Sequence, residues 1–338
     1  MDQTDVPEYE GPLGYVFAVA ERPNCCWDSD HGRRTLEFLE GVDPDHFGTV
    51  ASFLASHLEA EDAMAASIAL RVSYHQGVET LMSLLGAAAQ APSAVPAWIA
   101  MCKTDDLKEV VVSLRDGCPM LTQAGRQQVS FLDLSEFVHG SVWPHEEGTA
   151  STAALFARFW ARLSTELLDD TARAEYNALK HGNRVVAGGF TLAMGTEELP
   201  GVPAPPEAMR SMGGSRFGSS FFVSERVGSS RLHLRTRRTS INWSPEALAQ
   251  RLVLVSMSIT NVVGALRCAL GVDPATVRFV RPDPLSAFED VWKSEPGPSS
   301  VAIDTVIHID PSDELSKDQL LEILEQRGST GMVPNSSE

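Results

Sequence analysis

The run from Ser244 to Leu270 constrains the fold more than any other stretch of this chain. Ser244-Pro245-Glu246 is a strong helix start: a side chain able to cap, a proline at the first helical position and an acid in the first turn. The helix it opens is apolar nearly all round until Gly271. A helix with no face to give to water belongs at the centre of a bundle, with other helices packed around it. Leu252 to Leu266 carries Ser256, Ser258, Thr260 and Asn261 and falls short of the roughly 18 apolar residues a bilayer requires. The other long uncharged stretch, Thr80 to Cys102, is interrupted by Gln90, Pro92 and Pro96. Both read as buried helices.

Companion helices are legible before it. From about residue 47, Phe53, Leu54, His57 and Leu58 recur at helical spacing. Glu61 to Leu85 runs without proline and is rich in Ala, Leu and Met. Asp105 or Asp106 is placed to cap a helix carrying Leu107, Val110, Val111 and Leu114, and Asp116 to Pro119 reads as a loop. Leu132 to Val138 reads as a short helix. A long helical segment begins near Thr152, with Phe156, Phe159, Leu163 and Leu167 as its stripe. Asp169-Asp170 kinks or restarts it, and Gly182 suits the position after its end.

After 183 the pattern shortens, and glycine and proline punctuate β-like runs. Ser220–Val227 and Arg231–Arg238 read as strands joined by Gly228-Ser229-Ser230. Val277–Arg281 and Val301–Ile309 read as late strands. Ser316 and Gln319 form a capping box for a last helix with Leu320, Leu321 and Leu324. The expected organisation is an irregular segment over 1–44, with a strand over Gly14–Ala20, and a first part of the bundle over 45–182. A β-rich basic insertion follows over 183–243, then a central helix over 244–272, a C-terminal α/β segment over 273–327 and a disordered tail over 328–338. The fold class is mainly α, a helical bundle with a small β-rich insertion, and α+β overall.

The formal net charge of −18 repels nucleic acid and anionic lipid at long range, so a polyanion partner needs a local basic exception. Five cysteines with no Cys-x-x-Cys argue against a disulfide framework and a zinc ribbon. Reduced thiols in a cytoplasm are the simpler reading. The acidic start, Met1 to Asp5, lacks the build of a signal peptide. No membrane partner, metal or cofactor is expected. Asp28, Asp30 and His31 beside Cys25-Cys26 match no closed metal site. Glu136-Phe137-Val138-His139 is a single Glu-x-x-His, where a di-iron bundle needs two.

Three groups of residues could carry chemistry. Arg173, Asn177 and His181 lie four residues apart on one helix edge, with Lys180 in the last turn and Arg184 extending the stripe if the helix persists. Arginine offers a fork to phosphate, asparagine orients an oxygen and histidine moves a proton near neutral pH. The same residues also suit a plain helix ending. Arg71, His75 and Glu79 share a face of the Glu61–Leu85 helix, and that face is placed to meet the Arg173 stripe. Finally, strand alternation puts Arg231, His233, Arg235 and Arg237 on one face. Residues 210–240 hold seven arginines against Glu225 alone. That face suits RNA, a nucleotide or an acidic protein partner.

Tyr176-Asn177-Ala178-Leu179-Lys180-His181-Gly182, ending a long helix in a bundle, resembles the HEPN (higher eukaryote and prokaryote nucleotide-binding) proteins. These are helical bundles of many bacterial toxins and anti-phage systems. Their active members are metal-independent endoribonucleases with an Arg and a His on a late helix, acting in a site formed by dimerisation. The resemblance implies His181 as acid/base, Arg173 as the phosphate-binding arginine and a homodimer. Seven residues lie between the two here, against the usual four to six. The expected function is a soluble bacterial-type helical-bundle protein acting as an interaction or binding module, with HEPN-like ancestry. The alternative is a metal-independent endoribonuclease of toxin or anti-phage defence using His181 and Arg173.

Overall fold

The computed structural model describes residues 14–143, 151–181, 184–197, 199–228, 231–293, 298–303 and 314–330. In chain order its elements are β1 (Tyr15–Val19), β2 (Arg22–Cys26), α1 (His31–Gly41), α2 (His46–Ala55), α3 (Ala63–Gln90), α4 (Val95–Met101), α5 (Thr104–Asp116), β3 (Pro119–Thr122), β4 (Gly125–Gln128), α6 (Phe131–His139), α7 (Thr152–Leu168) and α8 (Asp170–Lys180). There follow β5 (Val185–Ala187), β6 (Thr191–Met194), β7 (Arg210–Gly214), β8 (Gly218–Arg226), β9 (Leu234–Asn242), α9 (Pro245–Ala269), α10 (Ala287–Asp290), β10 (Ser300–Ile303) and α11 (Lys317–Thr330). Helix accounts for 53% and strand for 18%, so the protein is mainly helical within the α+β class. The chain divides into two compact units, Met1–Gly182 with Trp243–Pro296 and Asn183–Asn242 with Gly297–Glu338.

In the first unit α9 is the core helix, with α2, α3 and α6 packed on it. It is long and apolar enough to cross a membrane, yet 72% of its most apolar window is buried inside the protein. Its polar residues are satisfied there: Ser258 accepts from Trp160 Nε1 at 3.0 Å and Thr260 donates to Ser256 O. Gly77 lets α3 approach, since a Cβ at that position would lie 2.9 Å from Leu252 Cδ1. Ser244 caps α9 by accepting from Ala247 N. Asp169 separates α7 from α8 and caps the latter through Ala172 N at 2.7 Å, so the helix restarts rather than bends.

Some expectations are corrected. Residues 15–41 are regular, forming the β1–β2 hairpin and α1. The turn was hidden because Ala20, not a glycine, takes a φ of 54°. The buried Gln90 amide fixes it from α3, accepting from Ala20 N at 2.9 Å and donating to Ala20 O at 3.0 Å. On α5 Asp106 is not the cap but its partner: Lys103 precedes the helix and donates its backbone N–H to Asp106 at 3.0 Å. Pro119 opens a strand, so the loop after α5 leads into the β3–β4 hairpin. Residues 277–281 form no strand, because the Asn261 side chain binds the backbone of Val280 in place of a neighbouring strand.

The second unit contains an antiparallel sheet in the order β10-β9-β8-β5, a two-stranded β6–β7 sheet and α11. Ser316 and Gln319 form the reciprocal cap of α11. The late strand covers 300–303, and the rest of the expected strand, 304–309, lies outside the described residues. Of the expected tail, 328–330 belong to α11 and 331–338 lie outside the described residues.

Candidate functional site

One turn of α3 separates Arg71 from His75, and another separates His75 from Glu79. All three face α8. Arg71 donates from Nε and Nη2 to the same oxygen of Glu175, at 3.1 and 2.7 Å. The Glu175 side chain is 0% exposed and that of Arg71 9%. His75 Nε2 stands 3.5 Å from that oxygen, long for a hydrogen bond, and has no closer partner. The His75 ring stacks on Tyr176 with centroids 5.0 Å apart, and Lys180 Nζ lies 4.6 Å from the Tyr176 ring centre. Tyr176 donates its hydroxyl to Glu79 at 3.1 Å. Alongside, Tyr74 and Arg251 both donate to Glu166 on α7, at 2.7 and 3.2 Å.

These groups underlie a cleft lined by His75 and Glu79 of α3, Thr104, Leu107 and Lys108 of α5, Glu166 and Leu167 of α7, and Ala172, Arg173, Tyr176, Asn177 and Lys180 of α8. Burial opposes a charge on Glu175, but Arg71 and then His75 hold its carboxyl down to about 2. Burial, reinforced by the Arg71 charge, lowers the His75 pKa and favours the neutral ring. Burial and then Glu79 raise the Tyr176 hydroxyl, keeping it a donor. At neutral pH the floor of the cleft is thus a neutral imidazole and a neutral phenol. Lys108 and Arg173 at its rim are paired with Asp105 and Asp170, which are 94% and 85% exposed.

Five residues singled out from the sequence therefore line one cleft: His75, Glu79, Arg173, Asn177 and Lys180. His181 does not line it: it is exposed, and its backbone N–H donates to Asn177 O at the end of α8. Gly182 lies outside the described residues. Arg184 is not on the stripe, because the helix stops at Lys180 and Arg184 precedes β5. Glu175, Tyr176, Lys108 and Glu166 are the site residues the sequence reading missed. Glu175 carried a usable signal, since it sits four residues before the buried Leu179, an acid on the inward side of α8.

The basic hairpin differs from expectation. Arg231 and His233 precede β9, so only Arg235 and Arg237 share a strand face, and both pair with Glu225, at 2.9 and 2.6 Å. His233 Nε2 accepts from Leu315 N. His31 and Asp28 form local loop contacts, with Asp28 paired to Arg34. His139 is buried among aromatic rings. Among the described residues no cluster of His, Cys, Asp and Glu is arranged to hold a metal ion. Comparison of the chain with protein-family models, curated proteins and solved structures finds no match.

Proposed function

We propose that the chain is a binding module of HEPN-like ancestry, and that the cleft beside α8 takes a small anionic ligand. The carrying observation is the convergence of Lys108, Arg173, Asn177 and Lys180 on one cleft with apolar walls, above a buried Arg71–Glu175 pair that fixes its floor. Concave, largely apolar sites with a few convergent polar groups are where small ligands bind. The lining carboxylates are already engaged, Glu79 by Tyr176 and Glu166 by Tyr74 and Arg251. The rim pairs to Asp105 and Asp170 are solvent-screened, so an entering anion displaces them at little cost. Calorimetric titration with inorganic phosphate tests this reading. Binding is expected, with affinity falling about tenfold for each of Lys180→Gln and Arg173→Gln. No heat with wild-type protein, or wild-type affinity retained by both variants, ends it.

A second reading is metal-independent RNA cleavage, favoured by the presence of Arg173 in the same cleft as His75. Attack by a ribose 2′-hydroxyl on the adjacent phosphate would need a base, either His181 at the helix end or His75, and Arg173 for the phosphorane charge. Incubation of RNA with the protein in chelator is the measurement. This reading expects cleavage that either His181→Ala or His75→Ala reduces by about a hundredfold or more. Intact RNA, or cleavage unchanged in both variants, removes it.

A further inference from the structure

One face of the four-stranded sheet in the second unit presents apolar and basic side chains together. Residues opposite one another on β8 and β9 share a face: Phe222 with Arg238, Ser224 with Thr236, and Arg226 with Leu234. All six are exposed. Phe222 is 69% exposed and Leu234 61%. The opposite face holds buried Phe221 and Thr239 and, further along, the Glu225 carboxylate shared by Arg235 and Arg237. Among the described residues of β8 and β9 no acid falls on the exposed face. Among the described residues Arg226 and Arg238 have no carboxylate partner, and neither do Arg210, Arg216 and Arg231. In a chain with 45 acids and 27 basic residues, carboxylates are not scarce. These arginines are a local exception to an anionic surface.

The geometry points to a single-stranded nucleic acid as the ligand of this face, with a base stacked on Phe222, phosphates on Arg226 and Arg238, and hydroxyl contacts from Ser224 and Thr236. The inference is independent of the cleft in the helical unit. Open antiparallel sheet faces bearing an exposed ring and guanidinium groups suit unstacked bases, whose flat rings and charged backbone alternate as this face does. A duplex buries its base faces and leaves Phe222 nothing to stack on. An acidic peptide answers the arginines but not the exposed ring and the hydroxyls between them. The overall charge of −18 opposes long-range attraction, so affinity must come from short-range stacking and phosphate binding.

Fluorescence anisotropy of the full chain with labelled oligothymidylate of about 12 nucleotides tests the idea. DNA lacks the 2′-hydroxyl, so the assay reads binding without any RNA cleavage. Wild-type protein should bind the single strand, and bind a duplex of equal length at least about tenfold more weakly. Phe222→Ala should weaken binding by about 5-fold to 100-fold. Arg226→Gln with Arg238→Gln should also flatten the dependence on salt, by a slope of about 0.7 for each phosphate no longer neutralised. Leu321→Ala, an exposed apolar change on α11, should do nothing. All these positions are on the surface, so folding is not at risk. Absent binding, equal affinity for duplex or an unaltered Phe222→Ala variant each overturns the inference. Displacement of the strand by a polyglutamate peptide at equal concentration does so too, and reassigns the face to an acidic protein.

Discussion

Replacing Glu175 with Gln will cost the helical unit on the order of 3–5 kcal/mol, because it leaves Arg71 buried and without its carboxylate. The pair is enclosed: the acid is 0% exposed, the guanidinium 9%, and two hydrogen bonds join them. A neutral amide oxygen can still accept both hydrogen bonds but does not balance the charge. The double change Arg71→Met with Glu175→Leu should recover most of the stability, since removing both charges removes both desolvation penalties. Urea denaturation followed by helical circular dichroism is the measurement. If Glu175→Gln were as stable as wild type, water would have to reach Arg71. The pH effect has a definite sign. The folded carboxyl, at about 2, lies below its unfolded value near 4.5, so its contribution is complete above pH 4.5 and is lost as pH falls toward 2. A collapsed pair would also free His75 and blunt phosphate binding in the cleft.

What could be read from the sequence follows the range of the interactions involved. The start of α9, an interruption of the helix at Asp169-Asp170 and the cap of α11 depend on residues within four positions of each other, and all three were legible. The outer edge of α8 was legible in part for the same reason: of the local stripe Arg173, Asn177 and His181, the first two line the cleft with Lys180, whereas His181 does not. Its buried side was not. Arg71 meets Glu175 across 104 residues of chain, and no local pattern says which acid a helix-face arginine will find. The β1–β2 turn failed on similar grounds, since a distant glutamine holds Ala20 in a conformation its own sequence disfavours. On the hairpin, alternation was correct for Arg235 and Arg237, but β9 begins only at Leu234, Ser229 and Ser230 lie outside the described residues, and the single Glu225 carboxylate pairs with both arginines.

Acid will destabilise the helical unit through His139 well above the pH at which its carboxylates matter. The ring is 0% exposed and stacks on Phe156 with centroids 4.2 Å apart. Its Nδ1 lies 3.0 Å from Ser135 O and its Nε2 3.1 Å from the Asn261 amide nitrogen. That amide also donates to Val280 O, so Nε2 is the acceptor and the proton sits on Nδ1. Burial pushes the imidazole down to about 3. The unfolded chain binds this proton near pH 6.5 and the folded chain does not. Stability is therefore complete above pH 6.5 and falls by about 1.4 kcal/mol per pH unit below it, roughly 5 kcal/mol in all. His75, lowered in the same direction, adds to the slope. Urea midpoints of wild type and His139→Phe at about pH 7.5, 5.5 and 4.5 separate the contributions. The variant should start less stable, because Asn261 loses an acceptor, yet lose less on acidification. Parallel curves would mean that His139 takes up its proton inside the fold. Asn261 would then have to turn its carbonyl toward the ring, and the two bonds that hold Val280 could not both survive.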